Sequence, residues 1–214
     1  MRIYTTKSVT LDFISEKMTD LFQKRFRFYK DLGDKTFSQL DENQCLWKYN
    51  AESNSIATLV KHISGNMSSR WTNFLTEDGE KEGRNRDAEF ENDIPSKKEM
   101  LEVWEKGWKV LFKALDQITS ENMNQLIFIR GEKFSVLDAL LRQLAHYSYH
   151  VGQIVYVAKL LTNEDWETLS IARNKSSEYT LELLKKQTPE DIQKNSSPVC
   201  YAKSDEVRDE YKEE

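Results

Sequence analysis

Cysteine is nearly absent from this chain of 214 residues, with Cys45 and Cys200 the only two. They are too few and too far apart for a disulfide framework, so a reduced, cytoplasmic protein is the simplest reading. Proline and glycine are also scarce, at three and seven residues, which disfavours a turn-rich sandwich and favours long helices. No window approaches the ~20 consecutive apolar residues that span a bilayer. The opening residues MRIYTTKSVTLDFISEKM hold no apolar stretch of signal-peptide length, so no membrane association is expected. A basic surplus is missing too: 31 Lys and Arg stand against 36 Asp and Glu, a net charge of −5. That balance argues against a general nucleic-acid binder, which needs a basic face for phosphate contacts. Gly-rich phosphate loops, nucleophile elbows and carboxylate pairs in a convincing setting are likewise lacking.

What is present is helical periodicity. A first helix is expected from about Ser8 or Thr10 to Leu32, with a stripe of Leu11, Ile14, Met18, Leu21, Phe22, Arg25 and Phe28 and a stop at Gly33. A short helical turn and a polar connector follow, pinned by Phe37, Leu40, Leu46 and Trp47. Ser55 caps a second helix to about Leu75, with Ile56, Leu59, Ile63, Met67, Trp71 and Phe74 on its buried stripe. Ser96 caps a third, whose apolar face carries Met100, Val103, Trp104, Trp108, Leu111, Phe112 and Leu115. Alternation then replaces helical spacing, predicting a short hairpin between Leu126 and Phe134 with Gly131 in the turn. The fourth long helix covers the segment Phe134 to Leu161. Trp166, Leu169 and Ile171 read as a segment wrapping onto the bundle, and Glu178 to Lys186 as a further short helix.

Histidine occurs three times, as His62, His146 and His150. On a helix His146 and His150 share a face, with Cβ atoms roughly 5–6 Å apart. Imidazole suits zinc, nickel, copper or iron(II), and three imidazoles leave positions open for water or substrate. The spacing alone is unspecific and leaves a packed or surface pair ahead of a metal site. Nor is it the zinc-protease motif, because Tyr147 stands where that motif has glutamate. Asn66 and Arg70 follow His62 at four-residue steps, while Asp138, Arg142 and Gln153 share the line of His146 and His150. Asn66 and Gln153 can orient ligands or simply join interhelical hydrogen bonds. Arg70 and Arg142 can hold an anionic group or pair with surface carboxylates. Tyr147 and Tyr149 can move a proton or only pack. The charged loop 76–95 reads as a solvated connection or as a lid offering Arg84, Arg86 and Asp87, with Phe90 as its anchor.

The blocks LVKHISGNMSSRWTNFLTEDGEKEGRNRDAEFE and LRQLAHYSYHVGQIVYVAKLL resemble the DinB/YfiT-like superfamily of metal-binding four-helix bundles. Within it they are most similar to an uncharacterised bacterial branch with an arginine-rich loop after the second helix. The likeness covers most of residues 9–172 and rests on one histidine in helix two and His-x-x-x-His in the last bundle helix. It implies His62, His146 and His150 as ligands of a nickel- or zinc-type site, with manganese and iron as further options. An up-down-down-up bundle and a homodimer are also implied. Some branches resemble transferases or isomerases that use bacillithiol, mycothiol or glutathione at the metal. Others carry no established reaction, and the charged loop separates this sequence from the thiol-transferase branches.

These readings define an all-α protein: a four-helix bundle with an excursion before its last helix and a C-terminal wrap. One domain is expected over residues 1–186, and a poorly ordered polar tail over 187–214. The leading functional expectation is a divalent-metal-dependent enzyme acting on a small molecule through a metal-activated water or a low-molecular-weight thiol. It would be a hydrolase or a thiol S-transferase, with no catalytic side chain assigned, and the loop arginines would recruit an anionic group. Two rivals stand beside it: a non-catalytic metal-binding stress protein with a closed coordination shell, and a helical interaction module whose histidines only pack.

Overall fold

Serine hydroxyls set the starts of the three helices that build the middle of the fold. Ser55 accepts from the Thr58 N–H at 3.0 Å, Ser96 from Glu99 at 3.2 Å and Ser135 from Asp138 at 3.1 Å. Each satisfies one of the N–H groups that a helix start leaves without a partner. The computed structural model describes residues 5–186, with side chains described from residue 18 onward. Its elements are α1 (Thr5–Phe37), α2 (Glu42–Leu46), α3 (Ile56–Trp71), α4 (Lys97–Leu115), β1 (Leu126–Ile129), β2 (Glu132–Ser135), α5 (Val136–Thr162) and α6 (Ser176–Lys185). The class is all-α with one small hairpin. α3 packs against α4 and α5, and α1 packs against α5 and α4.

Trp104, Trp108, Phe26, Phe37, Ile63 and Tyr147 are almost fully buried where these helices meet. All six residues of the stripe expected on α3 are buried. Phe74 stays inside although the helix ends at Trp71, short of the expected Leu75, because Asn73 turns left-handed at φ 50°. The predicted hairpin is present, Leu126 facing Ser135 and Ile129 facing Glu132, with Arg130 and Gly131 both at positive φ in its turn. Two consecutive positive-φ residues match the strand twist of a two-residue hairpin.

The first helix departs from expectation. It runs through Gly33 to Phe37, so Gly33 is not its stop. Gly33 lies against the Trp104 ring so closely that a Cβ would collide with it, and Trp104 Nε1 donates to Asp34 at 2.7 Å. That contact sets the helix phase. Phe22, Phe26, Thr36 and Phe37 face inward, while Leu21, Arg25 and Phe28 of the expected stripe are exposed. Leu11 and Ile14 lie outside the described side chains, and the tail 187–214 lies outside the described residues.

The loop 76–95 is tied down rather than free. The Asp78 carboxylate accepts from the N–H groups of Glu80 at 2.7 Å and of Arg130 and Gly131 at 2.8 Å, and the Gly79 N–H donates to the Phe128 carbonyl at 2.7 Å. The loop and the hairpin turn are therefore one hydrogen-bonded unit. The chain divides into two compact units, Met1–Leu169 and Ser170–Glu214. Within the first, Trp166 packs against the core; within the second, α6 has no buried residue. No helix among the described residues is long and apolar enough to cross a membrane.

Candidate metal centre

The α3 stripe that buries Ile63 and Met67 also fixes the neighbouring line, and His62 lies on it with only 4% of its surface exposed. α5 delivers His146 and His150 from the opposite side, one turn apart. His146 Nε2 lies 3.3 Å from His62 Nε2 and 3.1 Å from His150 Nε2. Ligands at ~2.0–2.1 Å from one metal ion, at tetrahedral or octahedral angles, stand roughly 2.9–3.4 Å apart. The triad therefore has the spacing of a metal-binding face, and its three residues could hold an ion. Among the described residues no fourth His, Cys, Asp or Glu joins the group.

Hydrogen bonds on the far side of two rings orient them. The Glu89 carboxylate accepts from His62 Nδ1 at 3.0 Å, and Gln153 Oε1 accepts from His150 Nδ1 at 2.8 Å. With the proton held at Nδ1, each Nε2 presents a lone pair inward, the arrangement that metal-bound histidines use. Among the described residues nothing hydrogen-bonds to the buried His146 Nδ1. Burial, reinforced by the neighbouring His150 and His62, lowers the His146 pKa to about 3. Burial also lowers that of His150, against the opposing hydrogen bond from Gln153. Both shifts favour the neutral imidazole that a metal requires.

Glu89 was not legible in the sequence. It is one of eight acidic residues in the loop, and no local feature sets it apart. The short 3₁₀ turn Ala88–Phe90 places it against Gly65 of α3, and Phe90 stacks on the His62 ring at 4.7 Å between centroids. Arg84 grips the same carboxylate with two hydrogen bonds of 2.7 and 2.8 Å. Burial alone would raise the Glu89 pKa, but the bonds from His62 and Arg84 outweigh it and hold the carboxyl below its usual range. Glu80 forms a second node, accepting from Arg70 at 2.8 Å, Arg130 at 3.1 Å and Arg84 at 3.3 Å.

A cavity of about 170 Å³ adjoins the triad, lined by His62, His146, Asn66, Gln143 and five arginines. Arg70 comes from α3, Arg84 and Arg86 from the loop, Arg130 from the hairpin turn and Arg142 from α5. Arg130 and Gln143 had not been singled out from the sequence, whereas the other four arginines had. Arg86 lies over the Phe90 ring at 5.4 Å and Arg142 over Phe134 at 5.1 Å. Of the remaining candidates, Gln153 orients His150, while Asn66 accepts from the Tyr147 hydroxyl at 3.0 Å. That hydroxyl also accepts from Trp71 Nε1 at 3.1 Å, and burial pushes its pKa up, so Tyr147 is a neutral strut. Asp138 and Tyr149 are exposed. A larger surface groove of about 970 Å³ beside α4 contains none of the histidines.

With this geometry in place, a family profile described as "Protein of unknown function (DUF1572)" matches residues 13–175, about three quarters of the chain. That family is related to the DinB-like superfamily. No curated protein and no solved structure matches the chain.

Proposed function

Since this chain belongs to the DUF1572 family of proteins of unknown function, we propose from the site alone that it is a divalent-metal-dependent enzyme acting on a small molecule. One observation carries the proposal. Two inward Nε2 lone pairs, oriented by Glu89 and Gln153, meet a third imidazole at the wall of a cavity lined with arginine. An ion bound there supplies Lewis acidity, lowering the pKa of water or a thiol and polarising a substrate oxygen. A three-histidine set keeps a position free for substrate, which favours the enzyme over a closed structural site. The protein's own groups do the rest: Glu89 and Gln153 hold the imidazoles in their ligand tautomers, and the loop arginines recruit an anionic group. Burial keeps the Tyr147 hydroxyl too firmly neutral to act as a base.

The finer readings belong to the same proposal. The ion is nickel or zinc, with manganese and iron(II) as the other options; the reaction is hydrolysis or thiol-dependent transfer; the protein is cytoplasmic. The helices form an up-down-down-up bundle of the DinB/YfiT-like type. A homodimer is favoured by the outer face of α5, where Leu141, Ala145, Tyr149, Gly152, Tyr156 and Leu160 recur at three- and four-residue steps and all are exposed.

The test is the metal content of protein purified without a histidine tag. About one divalent ion per chain is expected, lost in both His62→Ala and His146→Ala. Hydrolytic and thiol-transfer substrates are then screened with the metal found. Wild-type protein that takes up none of nickel, zinc, manganese or iron(II) would sink the proposal and leave a helical interaction module as the better reading.

A further inference from the structure

The arginines around the cavity exceed the carboxylates that neutralise them. Arg70, Arg84, Arg86, Arg130 and Arg142 line it. Among the described residues the carboxylates in contact with this group are Glu80, Glu89 and Asp78, the last engaged by backbone N–H groups. Five positive charges against three negative ones leave two in excess, before any divalent ion is added. Arg70 and the Arg84 side chain are each only 5% exposed, so part of this charge is held where water screens it poorly. Burial lowers the Arg70 pKa despite its bond to Glu80, and its Nε has no hydrogen-bond partner among the described residues. Gln143, 3% exposed on the same wall, has an Oε1 without a partner among the described residues. Buried polar atoms without partners are uncommon and often mark a place that a ligand completes.

We infer that this cavity is a phosphoryl-group site, and that the substrate is a phosphorylated small molecule whose dianionic head sits among the arginines beside the histidine triad. The inference deepens the metal-enzyme reading and rests on it for the position of the reacting centre. Charge decides first: an excess of two calls for a dianion rather than a single carboxylate. Direction decides next. The arginines reach the cavity from four separate elements, α3, the loop, the hairpin turn and α5, rather than as one planar fork from a single element. A tetrahedral oxyanion offers acceptors in all those directions, whereas a carboxylate offers them in one plane. Size agrees: about 170 Å³ is below the ~300–1,000 Å³ of pockets that enclose a whole drug-sized ligand. The site holds a headgroup, with the rest of the substrate outside.

Arg130 and Arg142 suit the test because both are exposed and neither carries the Glu89 contacts. Inorganic phosphate and, separately, malonate are titrated calorimetrically at constant ionic strength. The proteins are metal-loaded wild type, metal-stripped wild type and the Arg130→Gln/Arg142→Gln double variant in both states. The expected result is saturable phosphate binding to wild type, at least about tenfold tighter than malonate. The double variant should bind phosphate about tenfold or more weakly, with unchanged metal content and thermal midpoint. In stripped protein the dependence on the two arginines should persist, so the inference is decided even if no metal is found in the protein. Three results would overturn it: no saturable phosphate binding, equal binding by the double variant, or malonate bound as tightly as phosphate.

Discussion

Replacing Glu89 by glutamine isolates what its charge does for the candidate metal centre. The substitution preserves shape, which matters because alanine would leave the buried Arg84 side chain with only its 3.3 Å contact to Glu80. Removing one member of a buried ion pair costs about 3–5 kcal/mol and would confound any metal measurement with unfolding. Glutamine keeps one oxygen, and Arg84 and His62 then compete for it. If the amide nitrogen faces His62, Nδ1 must become the acceptor and the proton moves to Nε2, where it blocks metal binding. Groups behind a ligating histidine typically contribute 10–100-fold to affinity, or about 1.4–2.8 kcal/mol. Competition with a chromophoric chelator should therefore show Glu89→Gln weaker by about 10–100-fold. Metal-free protein should lose about 1.5–3 kcal/mol of stability, the value of a hydrogen bond to a charged group. Glu105→Gln, which loses an exposed pair with Lys30, should lose only about 0–1 kcal/mol. Gly65→Ala gives an independent route to the same loss, because a Cβ there would lie 2.7 Å from Glu89 Cδ and must push the carboxylate aside. Wild-type metal affinity in both Glu89→Gln and Gly65→Ala would refute the orienting role of Glu89.

Two further outcomes follow from burial and exposure. Cys45 is fully buried, and desolvation pushes its thiol pKa up to about 11. The unfolded thiol ionises from about pH 8.5, so stability is complete below that value and declines as pH rises towards 11. The loss should be roughly 2–3 kcal/mol by denaturant titration. In a Cys200→Ser background the native thiol should also resist an aromatic disulfide reagent at pH 8.5 until urea is added; prompt native labelling would contradict the burial. For the proposed homodimer, Tyr156→Glu places a charge in the exposed α5 face, where Tyr156 is 66% exposed. Light scattering should give a dimeric mass for wild type and a monomeric mass for the variant, with an unchanged melting temperature. A monomeric wild type would refute the dimer.

Much of the local structure was legible because local rules govern it. Serine at positions 55, 96 and 135 followed by helical apolar spacing marks helix starts. Alternation around Gly131 marks a hairpin, and glycine is the cheapest residue for a positive φ. The α3 stripe could be read without error because Ile56 through Phe74 repeats its large apolar side chains at unbroken three- and four-residue steps. α1 misled because two of its faces are apolar. Periodicity cannot say whether Phe26 or Phe28 is inside; the approach of Trp104 to Gly33 decides it. Gly33 looked like a stop for the same reason, since a glycine needed for close packing and one needed for a helix end are the same letter.

The triad divides in the same way. One-turn spacing places His146 and His150 on one face by helix geometry alone, and no tertiary information is needed for that. Bringing His62 to them, 84 residues from His146 along the chain, requires α3 to pack against α5. The charged loop shows the limit most clearly. Its composition announced arginines near a candidate site, but eight similar carboxylates gave no sign that Glu89 would be the one behind His62. A sequence carries backbone periodicity, capping and composition because these act over a few residues. Which charge pairs with which, and which lone pair faces inward, depends on contacts between distant segments, and only the packed tertiary structure decides those.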